Sequence, residues 1–424
     1  MTGGRSVLIA AQIAPPSSLV AARRVAAQCK YLARAGYDVT VLTSVASGEG
    51  PIEGAHEVVR TKDALMSGLN WRRGQFAALG GASGESYKPP SRLASVVVPD
   101  LSLGTWLPFA LPAARRLGRE QRFDCVLTTS PPPSTHLVGL ALRRGGTRWI
   151  AELRDGWTFE PPHPAWPLRI QHSADRALER QVLTRADAVV GVTLPIVEDV
   201  RDRLGVEALL ITNGYDPEDI RGATEADGLL DPRRRSIVHT GRLSLSHVSA
   251  RPLLEALRLL AFEDPNYASQ LEVVFAGSLT QAEREALAAP DLAESVRFVG
   301  WLEHARALAL QRAADALLVM TGGAERRSVA TGKLFEYLAS GRPILVLGDE
   351  TEAARIVEET GSGFSAPASD PRAIADALRR VVEVRPSPRS VGAAAPYAYP
   401  ALVGRLGETI EDVVSHRLRR PSGG

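Results

Sequence analysis

The amino-acid sequence predicts an α/β protein made of two doubly wound, Rossmann-like domains. Three observations carry this reading. Short β-branched runs alternate with longer amphipathic ones along nearly the whole chain. Most of the short runs are apolar on both faces, as parallel strands covered by helices require. The chain has 424 residues, more than one unit of about 100–200 residues accommodates.

The strands expected in the first half are Val7–Ala11, Val39–Thr43, Cys125–Thr129, Trp149–Leu153, Val189–Thr193 and Leu209–Thr212. Those of the second half are Ile237–Thr240, Val273–Ala276, Val296–Val299, Ala316–Met320 and Ile344–Leu347. Helices are expected between them, among others at Val20–Ala35, Ala174–Arg185, Pro252–Phe262, Arg306–Ala314 and Lys333–Ala339. Residues 215–235, rich in Asp, Gly, Pro and Arg, read as a linker, which places the domain break after Asn213-Gly214. The expected domains are therefore residues 1–214 and 215–399, with a last amphipathic helix at 400–418 returning to the first. Residues 49–95 carry GG, SG and PP breakers and read as a long irregular insertion.

Composition narrows the function classes. Fifty Lys+Arg against 48 Asp+Glu give a net charge of +2, and 45% of residues are hydrophobic. That balance argues against disorder and against binding through bulk positive charge. No basic stripe is interleaved with aromatics, so a nucleic-acid partner is not expected. Cys29 and Cys125 lie far apart and outside any CxxC pair, which leaves two buried thiols and no zinc site. The longest apolar stretch, Leu101–Ala114, is broken by Gly104, Pro108 and Pro112 and falls short of the ~20 residues of a membrane span. The expectation is a soluble, cytoplasmic protein, with peripheral membrane contact through Arg-bearing N-terminal helices as the most it offers a bilayer.

A two-domain α/β chain places ligands at the carboxyl ends of strands and between domains. The first strand is followed by AQIAPPSSLVAARR and lacks GxGxxG, which disfavours hydride transfer on this domain. Ser17 or Ser18 is suited to cap the next helix, and Arg23 and Arg24 read either as ligand contacts or as solvated arginines. The most informative run is SVATGKLFEYLASGRPIL, from Ser328. Leu334, Tyr337 and Leu338 fall at i, i+3, i+4 and form a buried stripe. Lys333 and Glu336 are neighbours on another face near the helix start, where free backbone N–H groups and a lysine suit a phosphate. A glutamate one turn on suits vicinal sugar hydroxyls. Phosphate with sugar hydroxyls describes a nucleotide or sugar nucleotide; an exposed Lys–Glu pair worth a few tenths of a kcal/mol fits the spacing equally.

LFEYLASGRPIL resembles the C-terminal signature of the retaining nucleotide-sugar glycosyltransferases of the GT-B fold, in the large family four. Asp38–Thr43 after Gly36 resembles that family's second strand, Ala186-Asp187 its AD element, Ile211–Asp216 (ITNGYD) its interdomain motif and His239–Arg242 (HTGR) its donor-domain strand end. Val274–Gly277, Val296–Gly300 and Ala314-Asp315 follow in the family's order, so the similarity runs from about residue 6 to 380. Ser130–Pro133 and Glu152–Trp157 (ELRDGW) are similar to a sub-branch acting in polysaccharide and aminosugar pathways.

The resemblance implies two Rossmann-like domains facing across a cleft, the first binding an acceptor and the second a nucleoside diphosphate-sugar. It implies Arg242 and Lys333 on the diphosphate, Glu336 on the ribose, and Gly241, Gly277 and Leu334 in the same donor-binding set. Transfer would proceed with retention and without metal, and no DxD run is present. The acceptor is expected to be a saccharide, a lipid-linked glycan or a small natural product. Asp155, after a strand, is the candidate to orient or activate its hydroxyl, with Glu152, His136 and Ser17 as further acceptor-side groups. Asp155 also reads as a structural partner of Arg154. His136, His163 and His172 read first as helix-surface or satisfied loop histidines, and Trp106, Trp157 and Trp166 as packing residues before a sugar platform. His304 and His416 are expected to decorate helices.

The sequence departs from the pattern at two places: Ser328 stands where the family commonly has an acid, and His247 where it has a lysine. Arg251 or Lys333 is then expected to share the phosphate charge. Rival readings on the same architecture are a nucleotide-sugar epimerase, a phosphorylase-like enzyme, and a degenerate protein that binds a sugar nucleotide or scaffolds partners.

Overall fold

Strand and helix periods that alternate over the whole chain fold here into two separate parallel sheets. The computed structural model describes residues 4–17, 20–64, 97–161, 166–223, 226, 228–242, 250–279, 283, 285, 287, 290–322, 326–384 and 392–416. One unit comprises the chain up to Thr212 together with the segment from Tyr399; the other runs from Asn213 to Ala398.

The first unit holds β1 (Ser6–Ala10), β2 (Asp38–Ser44), β3 (Glu57–Thr61), β4 (Cys125–Ser130), β5 (Arg148–Leu153), β6 (Ala188–Gly191) and β7 (Ala208–Leu210). They form a parallel sheet in the order β3-β2-β1-β4-β5-β6-β7, which reverses direction between β1 and β4. Successive side chains on a strand face opposite ways, so each strand feeds two cores. Leu8, Ala10, Val126, Ala151 and Val189 meet α2 (Leu107–Glu120), α3 (His136–Arg143) and α4 (Arg169–Leu183) on one face. Val7, Ile9, Val41, Leu127 and Ile150 meet α1 (Val20–Arg34) and the C-terminal helix Tyr399–Val414 on the other. That helix buries Leu402, Val403, Leu406 and Ile410 in this core and adds the hydrogen bond from Tyr37 Oη to the Gly407 carbonyl at 3.1 Å.

The second unit holds β8 (Arg235–Thr240), β9 (Leu271–Ala276), β10 (Val296–Gly300), β11 (Ala316–Met320), β12 (Ile344–Leu347) and β13 (Gly363–Ala366), in the order β10-β9-β8-β11-β12-β13. Its helices include α5 (Arg251–Glu263), α6 (His304–Ala313), α7 (Gly332–Ser340), α8 (Glu352–Glu359) and α9 (Pro371–Val381). α5 and α9 cover one face of the sheet; α6, α7 and α8 cover the other. Among the described residues, no helix is long and apolar enough to cross a membrane.

Three elements differ from the sequence reading. Glu57–Thr61, inside the stretch read as irregular, is an edge strand whose polar ends conceal its period. Gly363–Ala366 (GFSA) is a strand despite weak β propensity: a Cβ on Gly363 would lie 1.8 Å from the Ile344 carbonyl, so only glycine admits β12 this close. Leu107–Glu120 is helical through Pro112 because Leu107, Ala110, Ala114 and Leu117 are buried along one side. That burial offsets the hydrogen bond the proline removes.

Glu152 and Arg24 also require correction. Glu152 lies inside β5, fully buried, and is not presented to an acceptor. Its Oε1 accepts from Arg24 Nε at 3.0 Å, Arg24 Nη2 at 2.7 Å and Gln28 Nε2 at 2.9 Å. Arg24, read as solvated or ligand-facing, is buried, and its Nη2 also donates to the Ile211 carbonyl at 2.9 Å. The pair therefore ties α1 to β5 and to the end of the first unit. Burial alone would raise the Glu152 pKa; the Arg24 charge outweighs it and holds the carboxyl below its usual range. Its stabilisation is thus present above the ordinary glutamate pKa of about 4.3 and is lost as pH falls through the lowered value.

Arg24→Met should strand the Glu152 charge in the core and cost about 3–5 kcal/mol, whereas Arg24→Met with Glu152→Leu should recover most of that. Urea unfolding followed by tryptophan fluorescence measures it, because Trp106, Trp149 and Trp157 are buried in this unit. Equal losses in the single and double variants would show that the pair carries no such constraint.

Candidate active site

The second sheet changes direction between β8 and β11, where a doubly wound sheet opens to ligands. β8 stays paired with β9 as far as Thr240–Ala276, but with β11 only as far as Val238–Leu317. Two backbone groups are left along the gap, and side chains satisfy both. Tyr337 Oη of α7 accepts the Thr240 N–H at 2.8 Å. His239 Nδ1 donates to the Leu318 carbonyl at 3.0 Å. Because a carbonyl only accepts, Nδ1 carries the imidazole proton and Nε2 is an acceptor.

Past β8 the chain turns through Gly241, at φ +93°, whose N–H bonds the Ala276 carbonyl at 2.7 Å. Gly277, at φ +151°, turns β9 directly beneath it: a Cβ there would sit 2.4 Å from the Gly241 carbonyl oxygen. Lys333, one residue into α7, extends over this turn. Its Nζ lies 3.0 Å from His239 Nε2 and 3.4 Å from the Arg242 carbonyl, and a Cβ on Gly241 would come within 3.3 Å of it. Burial pushes the Lys333 pKa down to about 7, with Glu336 acting in the opposite sense. Burial, with Lys333 second, holds His239 well below its usual value and therefore neutral.

Glu336 follows one turn along α7, mostly buried. Its Oε1 is 3.0 Å from His304 Nε2, and its Oε2 accepts from Gln311 Nε2 at 3.2 Å. The same Gln311 amide donates to Thr240 Oγ1 at 3.0 Å, which links Glu336 to the end of β8. His304 thus does more than decorate its helix. The structure gathers Gly241, the Arg242 backbone, Gly277, Lys333 and Glu336 around one strand end. Leu334 is corrected: its side chain is in the core, and its N–H bonds the Thr331 carbonyl at 3.0 Å. Ser328 lies near the start of α7, half-buried; Arg251 pairs with Glu255 on an exposed face, and His247 lies outside the described residues.

In the first unit Asp155 follows β5 and is exposed. Beside it Arg154 donates to the carbonyls of Ser130 at 3.0 Å, Ala21 at 2.8 Å and Pro131 at 3.1 Å. Ser17 is half-buried after β1, and its N–H bonds the Ala14 carbonyl at 3.2 Å. His136 is corrected from an accessible acceptor-side group: it is fully buried, with Nδ1 2.8 Å from Thr128 Oγ1, and burial drives its pKa down to about 3. Trp157 and Trp166 share Asp175, their Nε1 atoms 2.7 and 2.8 Å from its two oxygens, so both are held as packing groups. His172 is exposed on α4, and His163 lies outside the described residues.

Sequence reasoning missed several polar groups at strand ends. Gln311 was legible only as a polar residue within an apolar run, and His239 only as the first residue of the HTGR motif, with no role of its own. Gln12 Nε2 donates to buried Asp63 at 2.8 Å, and Asp100 accepts from Ser134 Oγ at 2.7 Å and the Ser102 N–H at 2.8 Å. These groups lie far apart in sequence, and no spacing announces them.

Two parallel-sheet Rossmann-like units, the second with a lysine and a carboxylate around one strand end, make the GT-B architecture. Residues 21–214 match the family model described as a glycosyl transferase 4-like domain, and residues 234–383 match that of the glycosyl transferases group 1. The chain belongs with the family-four-like glycosyltransferases, whose donors are sugar nucleotides. Among solved structures it is similar to sucrose-phosphate synthase from Thermosynechococcus elongatus, at 18% identity and TM-score 0.67 over 97% of this chain and 100% of that one. It is also similar to the α,α-trehalose 6-phosphate synthase of Burkholderia multivorans, at 13% identity and TM-score 0.66 over 98% and 100% of the two chains. A UDP-forming trehalose-phosphate synthase from Burkholderia xenovorans, solved with glucose-6-phosphate, aligns at 14% identity and TM-score 0.64 over 96% and 100%. No protein of curated function matches the sequence.

The stacked glycines yield a graded test. Gly277 and Gly300 both have positive φ, but a Cβ on Gly300 meets nothing within 4 Å. Gly300→Ala should cost about 1–2 kcal/mol of backbone strain. Gly277→Ala should cost more and weaken nucleoside diphosphate binding, because the Gly241 turn must move. Thermal unfolding and calorimetric binding measure both; equal effects would show that the contact of Gly277 with the Gly241 turn carries no weight.

Proposed function

We propose that this enzyme transfers a sugar, with retention, from a nucleoside diphosphate-sugar held by the second unit to a hydroxyl acceptor held by the first. The observation that carries the reading is Lys333 Nζ lying over the Gly241–Arg242 turn with the Glu336 carboxylate one helical turn away. That spacing matches a diphosphate and the ribose beside it. The C1–O bond to the donor phosphate breaks while the acceptor oxygen bonds C1 from the same face, and the acceptor proton passes to the departing phosphate oxygen. Negative charge grows on the leaving diphosphate, so Arg242 and Lys333 lower the barrier there without a metal. Asp155 orients the acceptor hydroxyl. Saccharides, lipid-linked glycans and small natural products are the acceptor classes to screen.

Donor identity follows from thermal-shift screening with UDP, GDP, ADP, dTDP and their sugars, UDP first because one structural neighbour is named as UDP-forming. A nucleotide at about 100 times its Kd stabilises the folded protein by ~2.7 kcal/mol. With the donor known, nucleoside diphosphate should be released only when an acceptor is present. Sugar interconversion without acceptor would indicate epimerase chemistry instead. Glu336→Ala should lower kcat/KM by about 100-fold or more with an unchanged fold, and near-normal turnover would sink the ribose assignment. Asp155→Asn should slow transfer without weakening donor binding; an unchanged rate would return Asp155 to a structural role.

Lys333 supplies a pH signature. A diphosphate favours the ammonium and raises its pKa above the free value of about 7. Binding between those two values takes up a proton, so affinity falls as pH rises, by up to about tenfold per unit. Calorimetry of the tightest nucleoside diphosphate from pH 7.5 to 9, in buffers of differing ionisation enthalpy, reads both effects. A pH-independent affinity would remove Lys333 from the diphosphate.

A further inference from the structure

The chain places lysine sparingly. Its four lysines are Lys30, Lys62, Lys88 and Lys333, against a Lys+Arg total of 50, so Lys333 is the only one in the second half. A lysine ammonium is a compact point charge on a stem with about 2 kcal/mol of rotamer freedom, and it gives up its proton where an arginine does not. A long, mobile cation serves a leaving diphosphate poorly unless something orders it beforehand. The structure contains such a group. His239 is buried in β8, packed against Phe275 with ring centroids 5.8 Å apart. Its Nδ1–H is committed to the Leu318 carbonyl, and that bond fixes the tautomer. Nε2 is then an acceptor, 3.0 Å from Lys333 Nζ. The bond from Lys333 to the Arg242 carbonyl, 3.4 Å, is longer.

We propose that His239 is a positioning residue: through Nε2 it holds the Lys333 ammonium over the Gly241–Arg242 turn, ready for the donor diphosphate. The proposal rests on the reading of Lys333 as a diphosphate ligand. The charged and titratable groups around that ammonium are His239 from β8, Arg242 from the following turn, and Glu336 from α7, with Tyr337 behind them. Among these, the His239 Nε2 acceptor lies within hydrogen-bond distance of Nζ, at 3.0 Å. A neutral imidazole orders the lysine head without cancelling its charge, as a carboxylate would, so the charge it carries once the diphosphate binds is available to the ligand. It also favours the protonated lysine, because an ammonium N–H is a stronger donor to Nε2 than the N–H of a neutral amine.

The test compares H239L, H239Q, K333M and the H239L/K333M double variant with wild type, by calorimetry with the tightest of UDP, GDP, ADP and dTDP at pH 7.5 to 9. K333M should bind about tenfold or more weakly, and H239L should approach that loss. The falling limb of affinity with pH should move to lower pH in H239L, and H239Q, which restores an acceptor, should return binding to within about threefold of wild type. The double variant should be no weaker than K333M alone, since His239 acts through Lys333. Additive losses, an unmoved pH limb in H239L, or H239Q no better than H239L would overturn the proposal while leaving the donor site standing. K333M binding as wild type does would overturn the donor-site reading and the proposal with it. If H239L does not fold, the 15N spectrum of wild type decides, with the His239 signals assigned through H239Q. Nε2 unprotonated from pH 6 to 9 is expected, and a protonated Nε2 over that range overturns the proposal.

Discussion

The second unit is organised by the early end of one strand pairing. β8 and β11 separate after Val238 and Leu317 while β8 continues beside β9. Buried backbone N–H and C=O groups need partners wherever a ladder stops. The Thr240 amide finds the Tyr337 hydroxyl, and the Leu318 carbonyl finds the His239 imidazole. Both solutions have consequences. Tyr337 locks α7 against the strand end, which places Lys333 and Glu336. His239 has one nitrogen committed to the backbone and the other turned to Lys333. A backbone requirement of the sheet thereby fixes where the cation and the carboxylate stand.

The first unit meets a comparable requirement with charge. Glu152, inside a central parallel strand, is tolerable only because Arg24 and Gln28 reach it from α1. Arg24 also binds the carbonyl of Ile211, at the end of this unit, so one ion pair joins the first helix, the middle of the sheet and the point where the chain departs. The near-zero net charge of the sequence conceals this use of ions. Buried Arg24 holds a carboxylate and a backbone carbonyl in place and does not face a ligand.

Much of the fold was legible. Runs such as Val7–Ala11 and Ala316–Met320 are apolar on both faces, and only a covered parallel sheet offers such runs a burial site. The strands that escaped, Glu57–Thr61 and Gly363–Ala366, lie at sheet edges, where one neighbour is missing and the hydrophobic demand is weaker. In the candidate site, Lys333 and Glu336 were legible because helical spacing sets side chains three apart on one face. Gly241 and Arg242 were legible only through the resemblance of HTGR to the family's donor-domain strand end. Glu152 and His136 were misjudged for one shared reason: proximity in sequence to a strand or helix end says nothing about which way a side chain points.

The sequence by itself therefore determined the two-sheet α/β class, the order of the core strands and their helices, and which chain segments carry the cation and the carboxylate, because local period and residue type suffice for each. Only the tertiary structure decided which polar groups are structural and which face the open strand end. That choice depends on contacts between residues as distant as His239 and Lys333 or Arg24 and Glu152, and on backbone groups left unpaired where two strands part.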